Sequence, residues 1–142
     1  MPQKRCNMSY IDPHTVSTAA LAYFGDSVIE LLVRRRLVAE GYSSSKSLNA
    51  HARRFVTASA QAAAMQRLLS HLTEEEAGVF RRGRNIGHTN TPKNATVAEY
   101  RSATGMEALF GYLYLTDNEA RAALLFDIAY GQEGDSTSES GL

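Results

Sequence analysis

Met106-Glu107-Ala108-Leu109-Phe110-Gly111-Tyr112-Leu113-Tyr114-Leu115 carries a single charge in a run otherwise made of apolar, aromatic and small residues. A helix that is apolar nearly all round is buried, so the chain must build a core around this segment. At 142 residues it is long enough to do so as one domain. The exception in the run, Glu107, is then a carboxylate in an apolar setting, which costs several kcal/mol unless a cation or hydrogen-bond donors offset it. Asp26 interrupts a second apolar segment, Ala19-Ala20-Leu21-Ala22-Tyr23-Phe24-Gly25-Asp26-Ser27-Val28-Ile29, in the same way. Two apolar helices with one acid each suggest a crossing at which the acids share a metal ion.

The rest of the chain reads as helix, and no segment alternates convincingly enough for a strand. Asp12-Pro13 is an N-cap followed by proline, predicting a helix from about His14 to Glu40 that stops at Gly41. Gly25 either kinks it or lets another helix come close. The alanine-rich stretch Ser47 to Leu72 predicts a second long helix, with Phe55, Ala58, Ala62, Met65 and Leu69 as its buried stripe. Thr73-Glu74-Glu75-Glu76 is a capping box opening a short helix that ends near Gly83. Thr96-Val97-Ala98-Glu99 is another, opening the helix that carries Glu107. A last helix covers Asn118 to Tyr130. The expected organisation is one all-α domain over residues 1–130 and a disordered acidic tail over 131–142.

The local pattern leaves the chemistry open. Asp26 and Glu30 lie one helical turn apart, with Arg34 continuing the row, and Glu30 pairs most simply with Arg34. Ser27-Val28-Ile29-Glu30 also reads as a capping box, which would reduce Asp26 to a cap at a helix break. Glu107 could instead be a helix-edge glutamate or the partner of Arg101 or Arg121. A hard cation such as Mg²⁺ needs only one or two protein carboxylates, the remainder being water and phosphate oxygens. The four histidines are scattered and Cys6 is the only cysteine, so neither a zinc set nor a disulfide is available. The glycines do not fit a phosphate loop.

Net charge is zero, but from Arg34 to Arg101 there are twelve bases and five acids, and the two ends carry the compensating excess of acids. A basic middle is a polyanion footprint or a set of solvated helix faces. Its sharpest candidate is the loop from Gly83 to Ala95 with its flanks, where Arg81, Arg82, Arg84, Asn85, Thr91 and Lys93 bring cations and short polar groups together. No apolar stretch approaches a membrane span, no secretory signal opens the chain, and the lone cysteine suits a cytoplasmic protein.

Several motifs together carry a family resemblance. Leu21-Ala22-Tyr23-Phe24-Gly25-Asp26-Ser27-Val28 resembles the ribonuclease III signature, and Met106 to Leu115 its second acidic motif. Arg82-Gly83-Arg84-Asn85, Thr91-Pro92-Lys93-Asn94 and Tyr100-Arg101-Ser102-Ala103-Thr104 are similar to stretches of the short branch, the Mini-ribonuclease III proteins. The resemblance runs from about Thr18 to Asp127. It implies a homodimeric helical endoribonuclease that cuts double-stranded RNA with Mg²⁺, for which Mn²⁺ substitutes, leaving 5′-phosphate and 3′-hydroxyl ends. It further implies a large-subunit ribosomal RNA precursor as substrate, with a ribosomal protein presenting it. By position, Asp26 and Glu107 become the metal-binding catalytic acids. Arg82, Arg84, Asn85, Thr91, Lys93 and Arg101 become RNA contacts, and Tyr23 or Phe24 a dimer contact. The chain departs from the longer signature at Ala19, Ala22 and Thr104, where that signature has acids. These departures keep a second reading in view, a non-catalytic helical dimer that binds RNA, and a third, a helical interaction protein without nucleic acid.

Overall fold

The computed structural model describes residues 11–86 and 95–131. Every regular element among them is helical: α1 (Thr18–Ala39), α2 (Ser45–Val56), α3 (Ala58–Leu68), α4 (Glu74–Asn85), α5 (Val97–Leu115) and α6 (Glu119–Tyr130), with 3₁₀ turns at Pro13–Thr15 and Leu69–His71. None of these helices is long and apolar enough to cross a membrane.

The apolar run forms the middle of α5, which packs most extensively against α1, then α4 and α3. Met106, Leu109, Phe110 and Leu113 are sealed from solvent, and all join one core with Ile29, Val33 and Leu37 of α1, Met65 and Leu68 of α3 and Leu125 of α6. Burying each such side chain contributes about 1.5–3 kcal/mol. Both expected capping boxes are present: Thr73 and Thr96 each accept from the backbone N–H three residues on, and Glu76 and Glu99 reach back to the cap N–H.

Glycines set the distances between the central helices. A β-carbon on Gly25 would sit 1.6 Å from the Glu107 carbonyl oxygen, and one on Gly111 2.1 Å from that of Leu21. Gly25 therefore serves close approach, and α1 runs through it without a break. This removes the reading of Asp26 as a cap.

Three boundaries differ from expectation. Asp12 caps only the short turn Pro13–Thr15, and α1 starts afresh at Ser17, whose hydroxyl accepts from the Ala20 N–H at 3.0 Å. Its end is as expected, with Gly41 at φ +100° just beyond. The predicted helix from Ser47 to Leu72 is two helices, because Thr57 adopts extended backbone and its hydroxyl accepts from the Ala60 N–H at 3.2 Å. The helical phase restarts there, so α3 buries Gln61, Ala64, Met65 and Leu68, whereas Leu69 is exposed. Finally, α4 continues to Asn85, so Gly83 belongs to the helix and faces Gly105 of α5. Residues 132–142, and with them nearly all of the expected tail, lie outside the described residues.

Two ion pairs fasten the outer helices. Glu76, buried in α4, accepts from Arg121 of α6 at 2.9 Å through each carboxylate oxygen, and this guanidinium holds its carboxyl below the usual range. Arg36 is buried over the Phe126 ring, pairs with Asp127 at 2.8 Å and donates to the Gly131 carbonyl.

Candidate active site

The glycine-mediated crossing places Asp26, one residue after Gly25, beside Glu107, whose own carbonyl touches Gly25. Both side chains line a cavity of about 670 Å³ bounded by α1, α2, α3 and α5, and both also line a smaller one of about 240 Å³ on the other side. The setting is less enclosed than the sequence implied. Asp26 is exposed and Glu107 half-buried, because each lies where its helix leaves the core for the cavity wall.

The electrostatics of the pair are unusual. Glu107 is pushed up to about 7, first by desolvation, then by the charge of Asp26 and a hydrogen bond with it. Neither acid forms an ion pair among the described residues. The alternative partners are accounted for elsewhere: Arg121 is bound to Glu76, and Arg101 is exposed on the first turns of α5. Glu30 pairs with Arg34 on the cavity rim as its spacing suggested. Two adjacent, cation-free carboxylates with open space before them form an all-oxygen donor set, which fits a hard divalent ion completed by water and phosphate. Among the described residues, no group of three or more His, Cys, Asp or Glu residues converges.

The three positions where the longer signature has acids are Ala19, Ala22 and Thr104, and together they wall the smaller cavity. The Thr104 hydroxyl donates to the Tyr100 carbonyl at 3.1 Å within α5.

The expected RNA contacts are only partly placed. Arg82, Arg84 and Asn85 are exposed on the last turn of α4, which takes in Arg84 and Asn85 of the expected loop. Arg84 lies 5.6 Å over the Phe80 ring, which holds its stem against the protein. Thr91 and Lys93 lie outside the described residues. Part of the basic middle is structural: Arg36 is buried under α6, and Arg67 donates to the Ala129 carbonyl. Tyr23 is 85% exposed and Phe24 is 37% exposed, adjacent on α1.

Gln61 was not anticipated. It is 5% exposed and lines the larger cavity with Asp26 and Glu107, yet its amide has no hydrogen-bond partner among the described residues. Such a group costs about 1–3 kcal/mol while unpaired. The signal was available: a lone amide in Ala60-Gln61-Ala62-Ala63-Ala64 is as misplaced as a lone glutamate in an apolar run. Only the break at Thr57 decides which way it points.

A crossing of this kind, with acids on the paired helices of an all-α domain, defines a class. The chain belongs to the ribonuclease III family: the model of the Ribonuclease III domain matches residues 19–118, from α1 to the threshold of α6. Its relatives are narrower than the family. It is 44% identical over 122 residues to the Mini-ribonuclease 3 of Symbiobacterium thermophilum, covering 86% of this chain and 94% of that one. It is 40% identical over 126 residues to the Mini-ribonuclease 3 of Brevibacillus brevis, with 88% and 94% covered. Among solved structures, a protein from Fusobacterium nucleatum superposes with a TM-score of 0.73 at 27% identity, over 90% of this chain and 96% of that one.

Proposed function

We propose that this protein is an endoribonuclease that cuts double-stranded RNA, using a divalent ion held by Asp26 and Glu107. The observation that carries the reading is the adjacency of these two carboxylates, without a cation of their own, in a chain similar over most of its length to proteins named Mini-ribonuclease 3. A binding module with no catalytic role would gain stability by replacing Glu107, the desolvated member of the pair, with an uncharged residue.

When bound, Mg²⁺ supplies positive charge against the scissile phosphate and acidifies water, and Mn²⁺ serves in its place. Asp26 and Glu107 fix its position, and Glu107 must release its proton first. Hydrolysis by in-line displacement leaves 5′-phosphate and 3′-hydroxyl ends. Arg82, Arg84, Asn85 and Arg101, with Thr91 and Lys93, engage phosphates and ribose hydroxyls, since the deep groove of A-form RNA hides the base edges.

A monomer of zero net charge is a weak polyanion ligand. A two-fold dimer built on Tyr23 and Phe24 aligns two basic surfaces on one duplex, with one pair of acids for each strand. The substrate we favour is a large-subunit ribosomal RNA precursor in the cytoplasm, presented by a ribosomal protein.

The test is incubation of duplex RNA with and without Mg²⁺, using wild type, Asp26→Asn and Glu107→Gln. Wild type should cut only with the ion, and each variant should lose cutting while still binding duplex with a steep salt dependence. RNA left intact by wild type under both conditions would instead support a non-catalytic binder, and near-wild-type cutting by either variant would refute the site.

A further inference from the structure

Gln61 is buried, its amide lacks a hydrogen-bond partner among the described residues, and the residue lines the cavity shared by Asp26 and Glu107. Native interiors leave such a group unpaired mainly where water, an ion or a ligand completes it. Ile29 and Val33, which line the same cavity, are apolar, and its polar side chains besides the two acids, Glu30, Arg34, Ser45 and Asn49, are exposed, so Gln61 is the one buried amide on that lining. Two acids already supply the negative charge, and a third would add like-charge repulsion. A neutral amide oxygen accepts hydrogen bonds without that cost. A Mg²⁺ ion held by one or two carboxylates keeps several of its waters, and these are strong donors.

We propose that Gln61 is a positioning residue, whose amide oxygen accepts a hydrogen bond from the water shell of a divalent ion held by Asp26 and Glu107. The idea rests on the metal-site reading above. It makes α3 the third helix of the site, with the break at Thr57 setting the phase that buries Gln61 on the cavity lining.

The test is Mn²⁺ binding to the full chain without RNA at pH 8, followed by the electron paramagnetic resonance of free Mn²⁺, alongside thermal melting. Gln61→Leu removes an unpaired amide, so its melting midpoint should be no lower than wild type while its Mn²⁺ affinity falls about tenfold, as for other outer-shell ligands. Gln61→Glu keeps the acceptor oxygens and should bind Mn²⁺ at least as tightly as wild type. Asp26→Asn should lose binding. If Asp26→Asn loses Mn²⁺ but Gln61→Leu does not, the role of Gln61 is overturned and the metal site stands. If both bind as wild type, the metal site falls and this inference with it. A Gln61→Glu variant as weak as Gln61→Leu would mark a structural amide and overturn the proposal. Should Gln61→Leu fail to fold, Gln61→Met carries the same test.

Discussion

Gly25 and Gly111 face each other where α1 crosses α5: a β-carbon on Gly25 would stand 2.8 Å from the Gly111 nitrogen, and one on Gly111 3.0 Å from the Gly25 nitrogen. The contact is backbone against backbone, so no side chain can rotate away to make room. The separation of Asp26 and Glu107 is thereby set by two residues that carry no chemistry themselves.

Gly111→Ala should accordingly destabilise the fold by at least about 3 kcal/mol, at or beyond the upper end for overpacked cores, since helices must separate rather than side chains repack. Denaturant unfolding measures the loss. Any folded fraction should bind Mn²⁺ poorly, although both acids are intact. An alanine variant as stable as wild type would contradict the crossing.

Glu107 gives the protein a pH signature. In the folded chain it holds its proton up to about 7, whereas in the unfolded chain it loses it near the ordinary value of 4.5. Between these values the native state binds more protons, so the contribution of Glu107 makes stability fall as pH rises. From pH 5.5 to 8 without divalent ions, that contribution is about 2 kcal/mol. Glu107→Gln should abolish it, leaving a variant more stable than wild type at pH 8. Mg²⁺ should raise the wild-type melting midpoint at pH 8 far more than at pH 5.5, because proton and ion compete for the same carboxylate. Equal pH profiles for wild type and Glu107→Gln would refute the raised value.

Arg121→Ala tests the tie between α4 and α6. It strands the buried Glu76 carboxylate and should cost about 2–3 kcal/mol, below the range for fully buried pairs because Arg121 is itself partly exposed. The folded carboxyl of Glu76 is held low, so the pair stabilises above the unfolded value near 4.5, and that stabilisation is lost as pH falls through the folded value. Melts of wild type and Arg121→Ala should therefore converge in acid and diverge at neutral pH.

Tyr23 offers a sharp test of the proposed dimer. Its ring is almost wholly exposed, so Tyr23→Arg should leave the monomer fold intact while abolishing self-association in sedimentation equilibrium. Duplex affinity and its salt dependence should fall with it. A variant that still sediments as wild type removes Tyr23 from the interface.

The all-helical class, both capping boxes, the Gly41 stop and the burial of the Met106 to Leu115 segment were legible because each rests on local chemistry or on simple periodicity. Asp26 and Glu107 stood out as charges in apolar segments, but their depth was misjudged, since Asp26 is exposed and Glu107 half-buried on the cavity wall. The break at Thr57 was hidden by alanines, which fit a helix in any phase and mask a restart. The start of α1 was misplaced because two capping residues, Asp12 and Ser17, lie close together and only the second opens a lasting helix. Gly83 reads as a loop residue until its partner is known, since Gly105 lies on another helix and pairing across helices leaves no local trace. Gln61 depended on the phase that was lost at Thr57.

The packing of α5 against α1, α3, α4 and α6 has one more effect. Glu107 rides on the most extensively packed helix, whereas α2, which walls the same cavity, packs against α1 and α3 and lies further from that centre. Under the proposed function, substitutions on the exposed face of α2 should alter which duplexes are cut without disturbing the pair of acids.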